Sequence, residues 1–155
     1  MPISFSVDDM ATSIQFAIAP IFLLVGTGSF LNVVTTRLGR VVDRARALEK
    51  LVEDGEEAVL EARHLAELKL LDQRMRHGNR AVFFCAWSAV LICFLVAVLF
   101  LLDLASLPAG LIIALVFIGV MACLSVGLIS FLQEVALATK ALRVRTEVLS
   151  RKSGL

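Results

Sequence analysis

Three long runs without a charged residue constrain this chain more than any other feature. Residues 10–36, 81–102 and 104–133 contain no Asp, Glu, Lys, Arg or His. A helix needs about 20 predominantly apolar residues to cross the hydrocarbon core of a bilayer, and each run is long enough. The runs also lack the periodic polar face of a helix in a soluble core. Hydrophobic residues make up 59% of the chain, against about 45–50% in soluble domains. We therefore predict an all-α integral membrane protein with three transmembrane helices.

The basic residues predict how the chain is oriented. All 15 Lys and Arg lie in two segments, ten between Arg37 and Arg80 and five between Lys140 and Lys152. Short basic loops stay in the cytoplasm during membrane insertion. We expect the N-terminus outside the cytoplasm, and both the segment between the first two spans and the C-terminus inside it.

The segment between the first two spans predicts a cytoplasmic antiparallel helical hairpin. Apolar residues recur there at spacings of three and four in two stripes, as in coiled coils. The stripes are Leu38, Val41, Ala45, Leu48 and Val52, and then Leu60, His64, Leu68, Leu71 and Met75. Asp54-Gly55 is expected to break the chain between the two helices, and Gly78-Asn79 to end the second.

The predicted layout is a single membrane domain over residues 1–155. Its parts are spans at about 10–36, 81–102 and 106–133, the cytoplasmic hairpin at 37–80 and a cytoplasmic C-terminal helix at 134–155.

One stretch of the sequence, from Ala19 to Leu48, resembles a known family. It contains Ala19-Pro20, Leu31-Asn32-Val33, Thr36-Arg37-Leu38 and Asp43-Arg44. It is similar to a family of small bacterial membrane proteins described only as a domain of unknown function, number twenty-seven twenty-one. The resemblance implies a location in the bacterial inner membrane, and it implies no activity.

Three arginines follow the first span on one helix face: Arg37, Arg40 and Arg44. They could bind anionic lipid headgroups, since each basic residue near an anionic surface contributes about 1 kcal/mol. They could also serve only to fix the topology, as basic flanks do in other membrane proteins. We favour the topological role and keep the headgroup site as a candidate.

Small residues in the first and third spans are candidates for helix packing. They are Gly26, Gly28, Gly119, Cys123 and Gly127. In lipid, small residues at four-residue spacing let helix backbones approach closely. Packing within one chain would explain them, but three helices have a limited interior. We therefore expect a homo-oligomer.

Neutral polar residues of the first span could instead line a pore in a ring of subunits. The candidates are Gln15, Asn32 and Thr36. Such residues more often form hydrogen bonds within their own helix or to a neighbouring one. We keep a small oligomeric ion channel as the alternative function.

The sequence gives little indication of catalysis. Glu61-x-x-His64 has the spacing of one half of a di-iron site, but such sites need two of these pairs. The three cysteines all lie within spans and are interpreted as packing residues. No phosphate-binding loop, nucleophile motif or zinc spacing is present. We expect no enzyme, no cofactor, no metal and no nucleic-acid partner. The leading hypothesis is a structural or accessory protein that contacts membrane lipids and presents its hairpin to a cytoplasmic protein.

Overall fold

Three long α-helices make up the described part of this protein. The computed structural model describes residues 7–53, 58–104 and 110–152. The helices are α1, Val7–Glu53, α2, Ala58–Leu104, and α3, Gly110–Lys152. Each contains a segment that is long and apolar enough to cross a membrane. The prediction of an all-α chain with three candidate membrane helices is confirmed.

Each helix continues well beyond its apolar run. Helix α1 passes Arg37 and ends at Glu53, and α3 passes Glu134 and ends at Lys152. Residues 134–152 are therefore a continuation of the third helix and not a helix of their own. No glycine or proline lies between Gly127 and Lys152 to interrupt it.

Helix α2 also runs through Gly78 and Asn79, so the expected helix end there was wrong. Gly78 is buried, and a Cβ atom added to it would lie 2.9 Å from Cδ1 of Leu38. Glycine at this position allows α1 to approach α2 closely, which is a packing role. Tertiary contact has outweighed the helix-breaking tendency of glycine and asparagine.

Some sequence expectations lie outside the described residues. They are the break at Asp54-Gly55, the link between the second and third helices at 105–109, the first six residues and the last three.

The described contacts fall into two compact units, and the first lies within Met1–Asn32 and Phe84–Val126. Its buried side chains are small or apolar and come from all three helices, including Ala17, Ile92 and Val120. The hydroxyl of Ser88 donates to the carbonyl of Val120 over 3.4 Å. Large apolar side chains such as Leu111 lie exposed around it, as expected of helices surrounded by lipid.

The second unit lies within Val33–Phe83 and Gly127–Leu155. Its centre is a buried cluster of Val41, Ala45, Leu48 and Leu71, against which Leu68 and Met75 pack. We call these six residues the α1–α2 cluster. They all belong to the two apolar stripes identified in the sequence, and at these positions the stripes pack on each other. Leu38 meets Gly78 and Arg44 meets Glu67, which is the order of contacts in antiparallel helices.

Candidate functional site

An arginine-lined cleft is the candidate site in the second unit. Spacings of three and four residues place Arg37, Arg40 and Arg44 along one face of α1. Helix α2 adds Arg74, one turn after the buried Leu71. The cleft has a volume of about 320 Å³ and is lined by Arg37, Arg40, Val41, Arg44, Leu71 and Arg74. Val41 and Leu71 also belong to the α1–α2 cluster, so the packing of that cluster sets the shape of the cleft. We call this site the arginine cleft.

A buried carboxylate on α3 holds two of these arginines. Glu134 is only 4% exposed. Its Oε1 accepts hydrogen bonds from Nε of Arg74 at 3.0 Å and from Nη2 of Arg74 at 2.7 Å. Its Oε2 lies 3.4 Å from Nη2 of Arg37, an ion pair that lacks hydrogen-bond geometry. A buried charge is costly unless it is paired, and here two guanidinium groups share that role. We call Arg37, Arg74 and Glu134 the Glu134 network.

An aromatic ring also contacts Arg37 and helps to orient its side chain. The guanidinium carbon of Arg37 lies 5.4 Å from the centre of the Phe131 ring, within the range of a cation–π interaction. Phe131 precedes Glu134 by three residues, which places both on the same side of α3. Helix α3 thus fixes Arg37 with a ring and a carboxylate, while the side chain stays partly open to solvent.

The two remaining arginines of the cleft are more exposed. Nε and Nη2 of Arg44 both lie 2.9 Å from Oε1 of Glu67 on α2. Arg40 is exposed and makes no ion pair with any residue that the structure describes. Four guanidinium groups line the cleft, and within the described part of the chain Glu67 and Glu134 are the carboxylates paired with them. Among the described residues, the four arginines therefore exceed their paired carboxylates by two positive charges.

This arrangement suits an anion with several oxygen atoms. Arginine presents N–H donors in a planar fork that matches phosphate and carboxylate geometry. In Arg74 two nitrogens already donate to Glu134, which leaves Nη1 for the cleft. Arg40 is exposed and offers further donors, and Arg44 offers Nη1, since its Nε and Nη2 contact Glu67.

The residues predicted to pack helices fall into different environments. A Cβ atom added at Gly26, Gly28 or Gly119 would meet nothing within 4 Å, so these glycines make no close helix contact within the described chain. Cys123 is half-buried, whereas Gly127 is buried. The structure tests no contact between copies, and association through these residues stays a prediction.

The candidate pore residues Gln15, Asn32 and Thr36 are all exposed. Thr27, another polar residue of α1, is buried and donates to the carbonyl of Leu23 over 2.8 Å. Ser29 is exposed and donates to the carbonyl of Val25 over 3.0 Å. These two hydroxyl groups are satisfied by their own helix, the behaviour expected of neutral polar residues in a span.

Glu61 and His64 lie on α2, where Glu61 is exposed and His64 is half-buried. Among the described residues, no three His, Cys, Asp or Glu side chains lie close enough together to bind a metal ion.

Sequence reasoning missed Glu134 and Arg74. A signal for Glu134 existed, because the small-residue face of the third span does not end at Gly127. Spacings of three and four continue it through Ser130 to Glu134, and all three residues are buried. A carboxylate on a buried helix face predicts a basic partner on a neighbouring helix. The signal for Arg74 was weaker. This residue lies next to the apolar stripe of α2, between Leu71 and Met75, which places it near the buried face of the helix.

Comparison with known proteins gives the family and no activity. No curated protein and no solved structure matches the chain. The family model described as "Protein of unknown function (DUF2721)" matches residues 17–144, which include all three candidate membrane helices and the arginine cleft. The chain belongs to this family of unknown function, as the resemblance around the first span had indicated.

Proposed function

We propose that this protein is a non-enzymatic accessory protein of the bacterial inner membrane, which self-associates through its spans and presents a cytoplasmic helical hairpin to a protein partner. The observation that carries the proposal is the α1–α2 cluster. Its residues lie beyond the apolar runs, and they bury one another between α1 and α2. Apolar burial contributes about 25 cal/mol per Å², so this part of the chain has a core of its own and can present a defined surface.

The charge pattern supports a cytoplasmic location for that surface. Ten of the 15 basic residues lie between Arg37 and Arg80, and short basic loops are retained on the cytoplasmic side. The Glu134 network joins the start of this segment on α1 to α2 and to α3. Residues of three helices are thereby held together where the apolar runs give way to charged sequence.

The glycines of the spans support self-association. Gly119 leaves open space on the surface of α3, since a Cβ atom placed there would meet no described atom of another helix within 4 Å. A small residue that makes no close contact with another described helix leaves room for the backbone of a helix from a second copy to approach closely. Gly127 is less suited to this role because it is already buried within the chain.

A mass measurement tests self-association. The chain is purified in a mild detergent, and its mass is compared with that of Gly119→Ile and of a control, Ala114→Ile. Ala114 is exposed and lies five residues away on another face of α3. We expect an oligomer for the parent and for the control, and a shift towards monomer for Gly119→Ile. A monomeric parent would refute self-association.

Cysteine labelling tests the orientation. Single cysteines replace Ser4 or Glu56 in a background without Cys85, Cys93 and Cys123. A membrane-impermeant thiol reagent added to intact cells should reach position 4 and leave position 56 unlabelled. Labelling at position 56 would place the basic segment outside the cytoplasm and remove the proposed site of partner binding.

A small oligomeric channel is the alternative. The exposure of Gln15, Asn32 and Thr36 on α1 favours it, because a ring of copies could turn these side chains towards water. Ion flux through liposomes containing the purified protein, lost in Asn32→Leu, would favour the channel over the accessory role.

A further inference from the structure

The arginine cleft combines two features that together identify a class of ligand. The first is charge, since four arginines line it and, among the described residues, two carboxylates pair with three of them. The second is its apolar lining of Val41 and Leu71. An excess of two positive charges over the described carboxylates, beside an apolar surface, suits a phosphate group attached to an apolar molecule.

The position of the cleft along α1 supports a lipid as that molecule. Arg37 is the first charged residue after the apolar run that ends at Thr36. Val33 lies one turn before Arg37 on the same helix face, and its side chain is exposed. One face of α1 therefore presents an apolar surface and then the guanidinium groups, in the order in which a lipid presents its acyl chains and its phosphate. A soluble phosphate would use the second part alone.

The Glu134 network gives the cleft a defined shape. Glu134 and Phe131 fix Arg37, and Glu134 also fixes Arg74. Side chains that are already held in position lose little conformational entropy on binding a ligand. Arg40 is different, because its guanidinium has no ion pair to break with the described residues.

We propose that the arginine cleft binds the phosphate of an anionic lipid headgroup, with Arg40 and Arg44 as its main ligands and Glu134 as a positioning residue for Arg37 and Arg74. The site lies within a single chain and does not depend on self-association or on a protein partner.

The test uses the full chain in a mild detergent and compares Arg40→Gln with Arg46→Gln. Both arginines lie on α1, both are exposed, and neither is ion-paired with a described residue. Arg40 lines the cleft and Arg46 does not. Each variant removes one of ten basic residues from the segment between Arg37 and Arg80, so the topology should survive in both. Circular dichroism checks that the helix content is unchanged.

Binding is measured with three probes: phosphatidylglycerol, phosphatidylcholine and inorganic phosphate. We expect the parent to prefer phosphatidylglycerol over the other two. Arg40→Gln should raise the Kd for phosphatidylglycerol about five-fold, since one basic residue near an anionic lipid contributes about 1 kcal/mol. Arg46→Gln should change it by less than about two-fold, because its charge acts from outside the cleft and is screened.

Three results would overturn the proposal. Equal losses in Arg40→Gln and Arg46→Gln would mean that diffuse surface charge, and not the cleft, attracts the lipid. Equal affinity for phosphatidylglycerol and phosphatidylcholine would exclude recognition of an anionic headgroup. Inorganic phosphate that binds as tightly as phosphatidylglycerol, and depends on Arg40, would make the cleft a site for a soluble anion.

Discussion

Removing the charge of Glu134 should destabilise the protein far more than removing the charge of Glu67. Both carboxylates pair with arginines of the cleft, but Glu134 is buried, whereas Glu67 is 36% exposed and its partner Arg44 is 50% exposed. Removing one member of a buried ion pair costs about 3–5 kcal/mol, because the other charge is left without compensation.

For Glu134→Gln we expect a loss of stability below this range of about 3–5 kcal/mol, for two structural reasons. Arg74 is 20% exposed and can turn partly towards water, and the amide oxygen of glutamine can still accept one of its hydrogen bonds. We therefore expect Glu134→Gln to lower the free energy of unfolding by about 2 kcal/mol. Glu67→Gln should lower it by about 0.2–1 kcal/mol, the usual range for an exposed pair.

A double-mutant cycle separates the pair from its surroundings. Unfolding in a mild detergent is followed by circular dichroism as sodium dodecyl sulfate is added, for Glu134→Gln, Arg74→Gln and the double variant. We expect a coupling energy of about 1.5–3 kcal/mol. The matched cycle of Arg44→Gln and Glu67→Gln should give at most about 1 kcal/mol. Equal coupling in both cycles would refute the view that burial of Glu134 decides the strength of its network.

Three further predictions concern residues of α1 and α2. Leu48 is 1% exposed and Leu51 is 41% exposed, so Leu48→Ala should cost about 2–4 kcal/mol in the same unfolding assay and Leu51→Ala less than about 1 kcal/mol. Comparable losses would show that Leu48 is not part of a packed core. Gly39→Ala should stabilise α1 by about 0.5–1 kcal/mol, because its Cβ meets no other atom within 4 Å in the described chain. Gly78→Val should destabilise the protein by about 1–3 kcal/mol, because the Cβ atom and the two Cγ atoms of valine would crowd Leu38. A stabilising effect there would contradict the close approach of the helices.

The three candidate membrane helices could be predicted from the sequence because they depend on the summed hydrophobicity of many residues. Uncharged runs of this length leave few structural choices, and no single contact decides them. The α1–α2 cluster could be predicted for a similar reason. Its members recur at helical spacing, which predicts that the two apolar stripes are buried, either on each other or on a neighbouring subunit. The contacts within the chain identify the first of these two arrangements.

The candidate site was only half predicted, because it depends on contacts between residues far apart in the chain. Arg37, Arg40 and Arg44 share one helix, so helical spacing alone places them together. Arg74 and Glu134 are 60 residues apart, and no local pattern pairs them. Gly78 was misjudged for the same reason, since the neighbour that explains it is Leu38 on another helix.

The Glu134 network contributes to the site through geometry more than through stability. A buried ion pair gains little over well-packed apolar side chains, because desolvation offsets most of the attraction between the charges. Apolar residues at positions 74 and 134 could therefore support the same fold. They could not present a guanidinium group to the cleft, and Arg37 would then be oriented by the Phe131 ring alone. A carboxylate with one oxygen towards Arg74 and the other towards Arg37 holds both arginines at the cleft lining and still leaves the cleft with net positive charge. For these reasons the burial of Glu134 is better explained by its role in positioning Arg37 and Arg74 at the proposed lipid site than by the packing of the three helices.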